Sequence, residues 1–153
     1  MGTRCVWLGG TNIIYIEKIT VVFLVILLCF SFVVPAHATQ EYDDVYLLSK
    51  VIAAEARGEP YDGKLAVGTV VMNRIEHGGF GDTLEKVIYA RNQFAKSTKR
   101  MEPNEECLKA AQEIMNGYRS FPVSVLYFQR EKVEKWRESN WYCTIGEHNF
   151  YSI

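Results

Sequence analysis

The run Leu65-Ala66-Val67-Gly68-Thr69-Val70-Val71-Met72 is apolar at every position except Thr69, and it restricts the available folds more than any other feature. A helix that is apolar all round has no face to give to water, so other elements must surround it. Its β-branched content would also suit a strand. Lys64 before the run, Asn73-Arg74 after it and its length favour a helix beginning near Asp62 or Gly63. Gly68, in the middle, lets a neighbouring helix approach closely.

The neighbour expected there lies immediately upstream. Read as a helix from Asp43 or Asp44 to Arg57, that segment carries Val45, Leu48, Ile52 and Glu55 at offsets of zero, three, seven and ten, which is one stripe of the surface. Glu55 therefore shares a face with residues that pack inward. Gly58 and Pro60 end the helix just beyond it, so Glu55 also lies at the negative end of the helix dipole. Partial desolvation and the dipole both push a carboxyl pKa up, the condition for a general acid working near neutral pH. The competing reading is a rim carboxylate paired with an arginine. Glu59 is the only nearby candidate for a second acid, and Gly58 and Pro60 are expected to turn it away.

Ala54-Glu55-Ala56-Arg57-Gly58-Glu59-Pro60-Tyr61-Asp62-Gly63, then Ala66-Val67-Gly68 and Asn73-Arg74, resembles the opening of the SleB/CwlJ family of spore-cortex-lytic and related cell-wall hydrolases. The likeness recurs in Val125-Leu126-Tyr127-Phe128, in Trp136 and in Ile145-Gly146-Glu147-His148-Asn149-Phe150-Tyr151. Separate matches in the same order are more specific than any one of them.

Upstream, Ile19 to Val34 is almost unbroken apolar sequence, preceded by Lys18 and followed by Pro35-Ala36-His37-Ala38. That is the pattern of a secretory signal peptide, residues 1–38, with export across the cytoplasmic membrane and no membrane anchor after cleavage. The run is short for a span, so an uncleaved anchor is the alternative. Residues 39–42 are then a short linker and 43–153 the catalytic domain. Without Arg4, Lys18 and Glu17, the 17 basic and 18 acidic side chains fall to 15 and 17, a net charge of −2. Such a balance argues against a nucleic-acid partner, whose hold would rest on excess positive charge. Cys5 and Cys29 leave with the leader. Cys107 and Cys143 remain, either bridged or, for Cys107, packed as a small apolar residue.

Downstream, Asp82-Thr83-Leu84-Glu85 is a capping box opening a short helix to Tyr89. Asn104 caps another helix with Cys107, Leu108, Ala111, Ile114 and Met115 on its inner face, closed by Asn116-Gly117. The pattern then turns to strands at Val123–Phe128, Trp141–Ile145 and Phe150-Tyr151, with a charged surface helix or long hairpin loop at Arg130–Glu138. His77 and His148 are too few for a zinc site, which wants about three protein ligands when catalytic. No metal and no cofactor are expected.

The resemblance implies an α+β, lysozyme-like fold, in which a helical part carrying Glu55 faces a small antiparallel sheet from the C-terminal third. It implies lytic transglycosylation of peptidoglycan glycan strands between N-acetylmuramic acid and N-acetylglucosamine, with one glutamate acting as acid and then base, and a possible role in cortex lysis during germination. Gln93, Phe94 and Tyr127 are its expected groove residues, and His148 a structural or groove-lining one. The alternatives are an N-acetylmuramoyl-L-alanine amidase and a non-catalytic wall-binding module.

Overall fold

The computed structural model describes residues 21–24, 36–91, 93–94 and 96–153. The chain divides into two compact units, Met1–Ala38 and Thr39–Ile153. In the first, residues 21–24 are helical; the rest of the expected leader peptide's apolar run, with Cys5 and Cys29, lies outside the described residues. No helix among the described residues is long and apolar enough to cross a membrane.

Beyond residues 21–24, four α-helices come first among the described residues: α1 (Ala36–Ala56), α2 (Tyr61–His77), α3 (Leu84–Tyr89) and α4 (Glu105–Met115), with a 3-10 turn at Lys96–Arg100 before α4. The sheet follows as β1 (Val125–Gln129), β2 (Lys135–Trp136), β3 (Ser139–Ile145) and β4 (His148–Ser152). Its order is β1-β4-β3-β2 and every pairing is antiparallel.

α2 is the buried helix that its composition demands, with every residue from Gly63 to Val71 shielded from solvent. It contributes to two cores. Leu65 and Val71 join Val45, Leu48, Val51 and Ile52 of α1, Val87 and Ile88 of α3, and Cys107, Ala111 and Ile114 of α4. Ala66, Val67 and Val70 instead meet Ala56, Phe121, Val125 and Phe150 beneath the sheet. Gly68 makes this possible: a Cβ there would stand 3.1 Å from Ile114 and 3.2 Å from Ile52. At the far end of α2, buried Asn73 donates through its amide to the carbonyls of Pro122 and Val125, tying the helix to the start of β1.

The helix caps follow the sequence. Thr83 Oγ1 accepts the Lys86 N–H at the start of α3, and Asn104 Oδ1 accepts the Cys107 N–H at the start of α4. Two expectations need correction. α1 begins at Ala36, so residues 39–42 are helical rather than a linker. Leu108 is exposed, because α4 buries the narrower stripe of Cys107, Ala110, Ala111 and Ile114. Of the two alternatives for residues 130–138 the structure takes the hairpin, which closes back on β3 through the short strand β2. Cys107 and Cys143 are both free thiols, so of the two alternatives Cys107 takes that of a small apolar residue in the helical core, whereas Cys143 packs beneath the sheet.

Candidate functional site

Glu55 occupies the last turn of α1, one residue before its end, and is half-buried at the edge of the stripe formed by buried Leu48, Ile52 and Ala56. Its carboxylate acts electrostatically on two groups from elsewhere in the chain, Arg74 of α2 and His148 of β4.

Arg74 is the residue that assembles the rest. It lies in the last turn of α2, where the dipole favours a cation, and it is only 5% exposed. Nε donates to the Leu126 carbonyl at 2.8 Å and Nη1 to Gln93 Oε1 at 3.2 Å. The guanidinium carbon also stands 4.9 Å from the Phe94 ring centre, 5.3 Å from Phe80 and 5.8 Å from Tyr127. Three of the expected groove residues, Gln93, Phe94 and Tyr127, thus meet on one buried cation. Burial pushes its pKa down to about 10; Arg137 adds to that fall, while Tyr127 and Glu55 oppose it. It stays protonated at neutral pH, a fixed positive charge in partial desolvation.

Tyr127 extends the cluster across the sheet. Its ring meets Phe80 edge-on at 5.9 Å and Trp136 at 5.8 Å, and Trp136 lies 5.8 Å from Tyr151. These aromatic faces, half-buried at Tyr127 and Trp136, offer flat apolar surface beside the polar groups, as sugar-binding walls do.

His148 lies elsewhere. It is 3% exposed, with Phe128 edge-on at 5.2 Å, and so lies inside the fold rather than along a groove. Its neighbour is Glu59, whose Oε1 lies 3.7 Å from Nδ1, too far for a hydrogen bond, and that nitrogen has no hydrogen-bond partner among the described residues. Burial pulls the His148 pKa below its ordinary value; Glu59 opposes, Arg130 assists, and Glu55 and Glu147 oppose more weakly.

Glu59 turns toward the sheet. It is 6% exposed, and Oε2 accepts the Glu147 N–H at 2.9 Å in the two-residue turn Gly146-Glu147 between β3 and β4. Gly146 has φ +59°, and a Cβ there would come within 1.9 Å of that same oxygen. Lys64, also buried, donates to the Glu59 carbonyl at 2.5 Å and pairs with Glu106 at 3.2 Å. Glu59 is therefore a latch between the α1–α2 corner and the sheet, not a free second acid.

Sequence reasoning missed both Arg74 and Glu59. Arg74 had a visible signal, a cation ending an otherwise apolar helix. Glu59 had none locally, since its partner is 88 positions away.

Residues 58–151 match the family model described as Cell Wall Hydrolase, a match that begins three residues after Glu55. The chain is 32% identical over 117 residues to a spore cortex-lytic enzyme of Oceanobacillus iheyensis, covering 71% of this chain and 41% of that protein. It is 30% identical over 122 residues to the cell wall hydrolase CwlJ of Bacillus subtilis, covering 71% and 84%. The spore cortex-lytic relatives are thus matched over less than half their length. The solved catalytic domain of the germination-specific lytic transglycosylase SleB from Bacillus anthracis superposes with a TM-score of 0.60 at 30% identity, over 71% of this chain and 93% of that one.

Proposed function

The chain belongs to the cell wall hydrolase family, and on that premise we propose that it cleaves the glycan strands of peptidoglycan as a lytic transglycosylase, with Glu55 as the proton-transferring group. The observation that carries the reading is the meeting of Gln93, Phe94 and Tyr127 on Arg74, a cation on which the half-buried Glu55 acts electrostatically. In the first step protonated Glu55 gives its proton to the glycosidic oxygen between N-acetylmuramic acid and N-acetylglucosamine, and that bond breaks as positive charge develops at the muramyl C1. The carboxylate so formed is stabilised by the fixed charge of Arg74. It then takes the proton from the muramyl 6-hydroxyl as that oxygen attacks C1, closing a 1,6-anhydro ring and restoring the acid.

One carboxylate suffices for this cycle, whereas hydrolysis ordinarily uses a pair. Glu59, the nearest other acid in sequence, is occupied by the Glu147 N–H. The B. anthracis relative is named as a lytic transglycosylase, which supports the same chemistry here. The relatives named spore cortex-lytic enzymes support cortex as the wall acted on. The amidase reading needs a zinc donor set, and among the described residues no three His, Cys, Asp or Glu side chains gather as one.

The substrate lies outside the cytoplasmic membrane, so the leader is proposed to direct export, with a mature chain beginning near Thr39. Exported protein whose N-terminal sequence still included residues before Ala36 would refute that part. Mass analysis of the digested glycan tests the chemistry: ends about 18 Da lighter than free reducing ends are the anhydro product expected, and free reducing ends would replace transglycosylation with hydrolysis.

A further inference from the structure

Trp136 faces Ser139 across β2 and β3, so Arg137 and Glu138 form a two-residue hairpin turn. Arg137 takes φ +58°, and among the described residues it is the one non-glycine with positive φ. Tight hairpins favour glycine, asparagine or aspartate at such positions. An arginine there carries backbone strain that glycine would not, and strain of that kind is retained where the side chain serves a purpose.

The side chain is placed with some definition. Its guanidinium lies 4.8 Å from the Trp136 ring centre and 5.5 Å from Tyr127, so it shares Tyr127 with buried Arg74. Arg137 itself is exposed, and among the described residues no carboxylate forms an ion pair with it. An exposed planar cation beside a half-exposed aromatic face matches a sugar that carries an acid group: the ring lies on the aromatic and the carboxylate meets the guanidinium fork.

We infer that Arg137 is a specificity-determining residue that takes a carboxylate borne by the glycan strand, on the muramic lactyl group or on its attached peptide, while a sugar ring stacks beside it on Trp136. This rests on the reading of the chain as acting on peptidoglycan. It distinguishes acidic strands from neutral ones, which the proton transfer by Glu55 does not.

The test uses three forms of one sacculus preparation. Intact strands carry peptide carboxylates, amidase-stripped strands carry lactyl carboxylates, and strands amidated with carbodiimide and ammonia carry neither. Cleavage kinetics and co-sedimentation are measured for the wild type, R137G and R137K. The wild type is expected to show a KM roughly 3- to 10-fold lower on one or both acidic forms than on the amidated one, the range for a single partly exposed charge-assisted contact. Whichever acidic form shows the preference identifies the carboxylate. R137G should lose this preference, its KM on the acidic form rising to match that on amidated strands, while the melting temperature stays equal or rises, since glycine suits the turn. R137K should keep part of it. Equal losses on all three forms, or a wild type indifferent to amidation, would overturn the assignment. If no form is cleaved yet sedimentation still depends on carboxylates and on Arg137, the subsite stands and the enzymatic reading falls; if strands are cleaved without any dependence on carboxylates, the enzymatic reading stands and the subsite falls.

Discussion

Glu59 and Glu147, 88 positions apart, are joined by a 2.9 Å hydrogen bond from the backbone N–H of exposed Glu147 to the carboxylate of buried Glu59. A hydrogen bond to a buried charged acceptor is among the stronger single contributions to a fold. Glu59→Ala should therefore cost roughly 1.5–3 kcal/mol, read as a lower urea midpoint with an unchanged slope. Glu59→Gln, which keeps an acceptor, should cost less than Glu59→Ala.

Gly146→Ala probes the same contact from the other side. The added Cβ meets Glu59 Oε2 at 1.9 Å on a backbone at φ +59°, so the latch must open. A loss of at least ~2 kcal/mol is expected from clash and strain together, measured by chemical denaturation. Gly58→Ala is the control: a Cβ there meets nothing within 4 Å, and its stability should stay within about 0.5 kcal/mol of the wild type.

Glu55→Gln should remove lytic activity by at least ~10²-fold, because the amide can neither donate an acidic proton nor take one back. Its melting temperature should match the wild type. Turbidity loss of purified sacculi provides the measurement, and wild-type clearing by this variant would end the mechanism proposed above.

Arg74→Lys keeps the charge but loses the fork that bonds the Leu126 carbonyl and Gln93 together. Activity should fall by roughly 10-fold or more as Gln93 and Tyr127 lose their common support, with kcat affected alongside KM. An unchanged kcat would mean that Arg74 only stabilises the fold.

Acid should weaken the protein through His148. Its folded pKa lies below its ordinary value because it is buried, so below about pH 6.5 the unfolded chain binds a proton that the folded chain refuses. Stability is then fully present above that pH and declines as pH falls toward the folded pKa, by at most about 1.4 kcal/mol per unit. His148→Gln should flatten this part of the profile, followed by thermal melts from about pH 7.5 to about pH 5.

The helical half of the fold was legible because its signals are local. The apolar run at 65–72 and the caps at Thr83 and Asn104 each lie within a few residues of what they determine. Glu55 stood out for the same reason, as an acid on an apolar stripe. What escaped depends on partners distant in sequence: Glu59 looked like a turn residue until β3 and β4 were brought over it. For His148 a structural and a groove-lining place both stayed open, because one residue of a strand says nothing of what packs against it. Arg74 joins elements 19 to 52 positions away, and no spacing rule spans that range.

The strand order β1-β4-β3-β2 bears on how the molecule reaches this state. β3 and β4 can zip together through their two-residue turn within ~1–10 μs, the ordinary time of a hairpin. β1 precedes both in the chain but cannot pair until β4 has formed, and it must then close the loop from Gln129 to Asn149. Until that moment Val125-Leu126-Tyr127-Phe128 is an unpaired apolar strand, open to the same strand of another molecule. Refolding yield should consequently fall as protein concentration rises, and the species lost should be those caught before β1 docks.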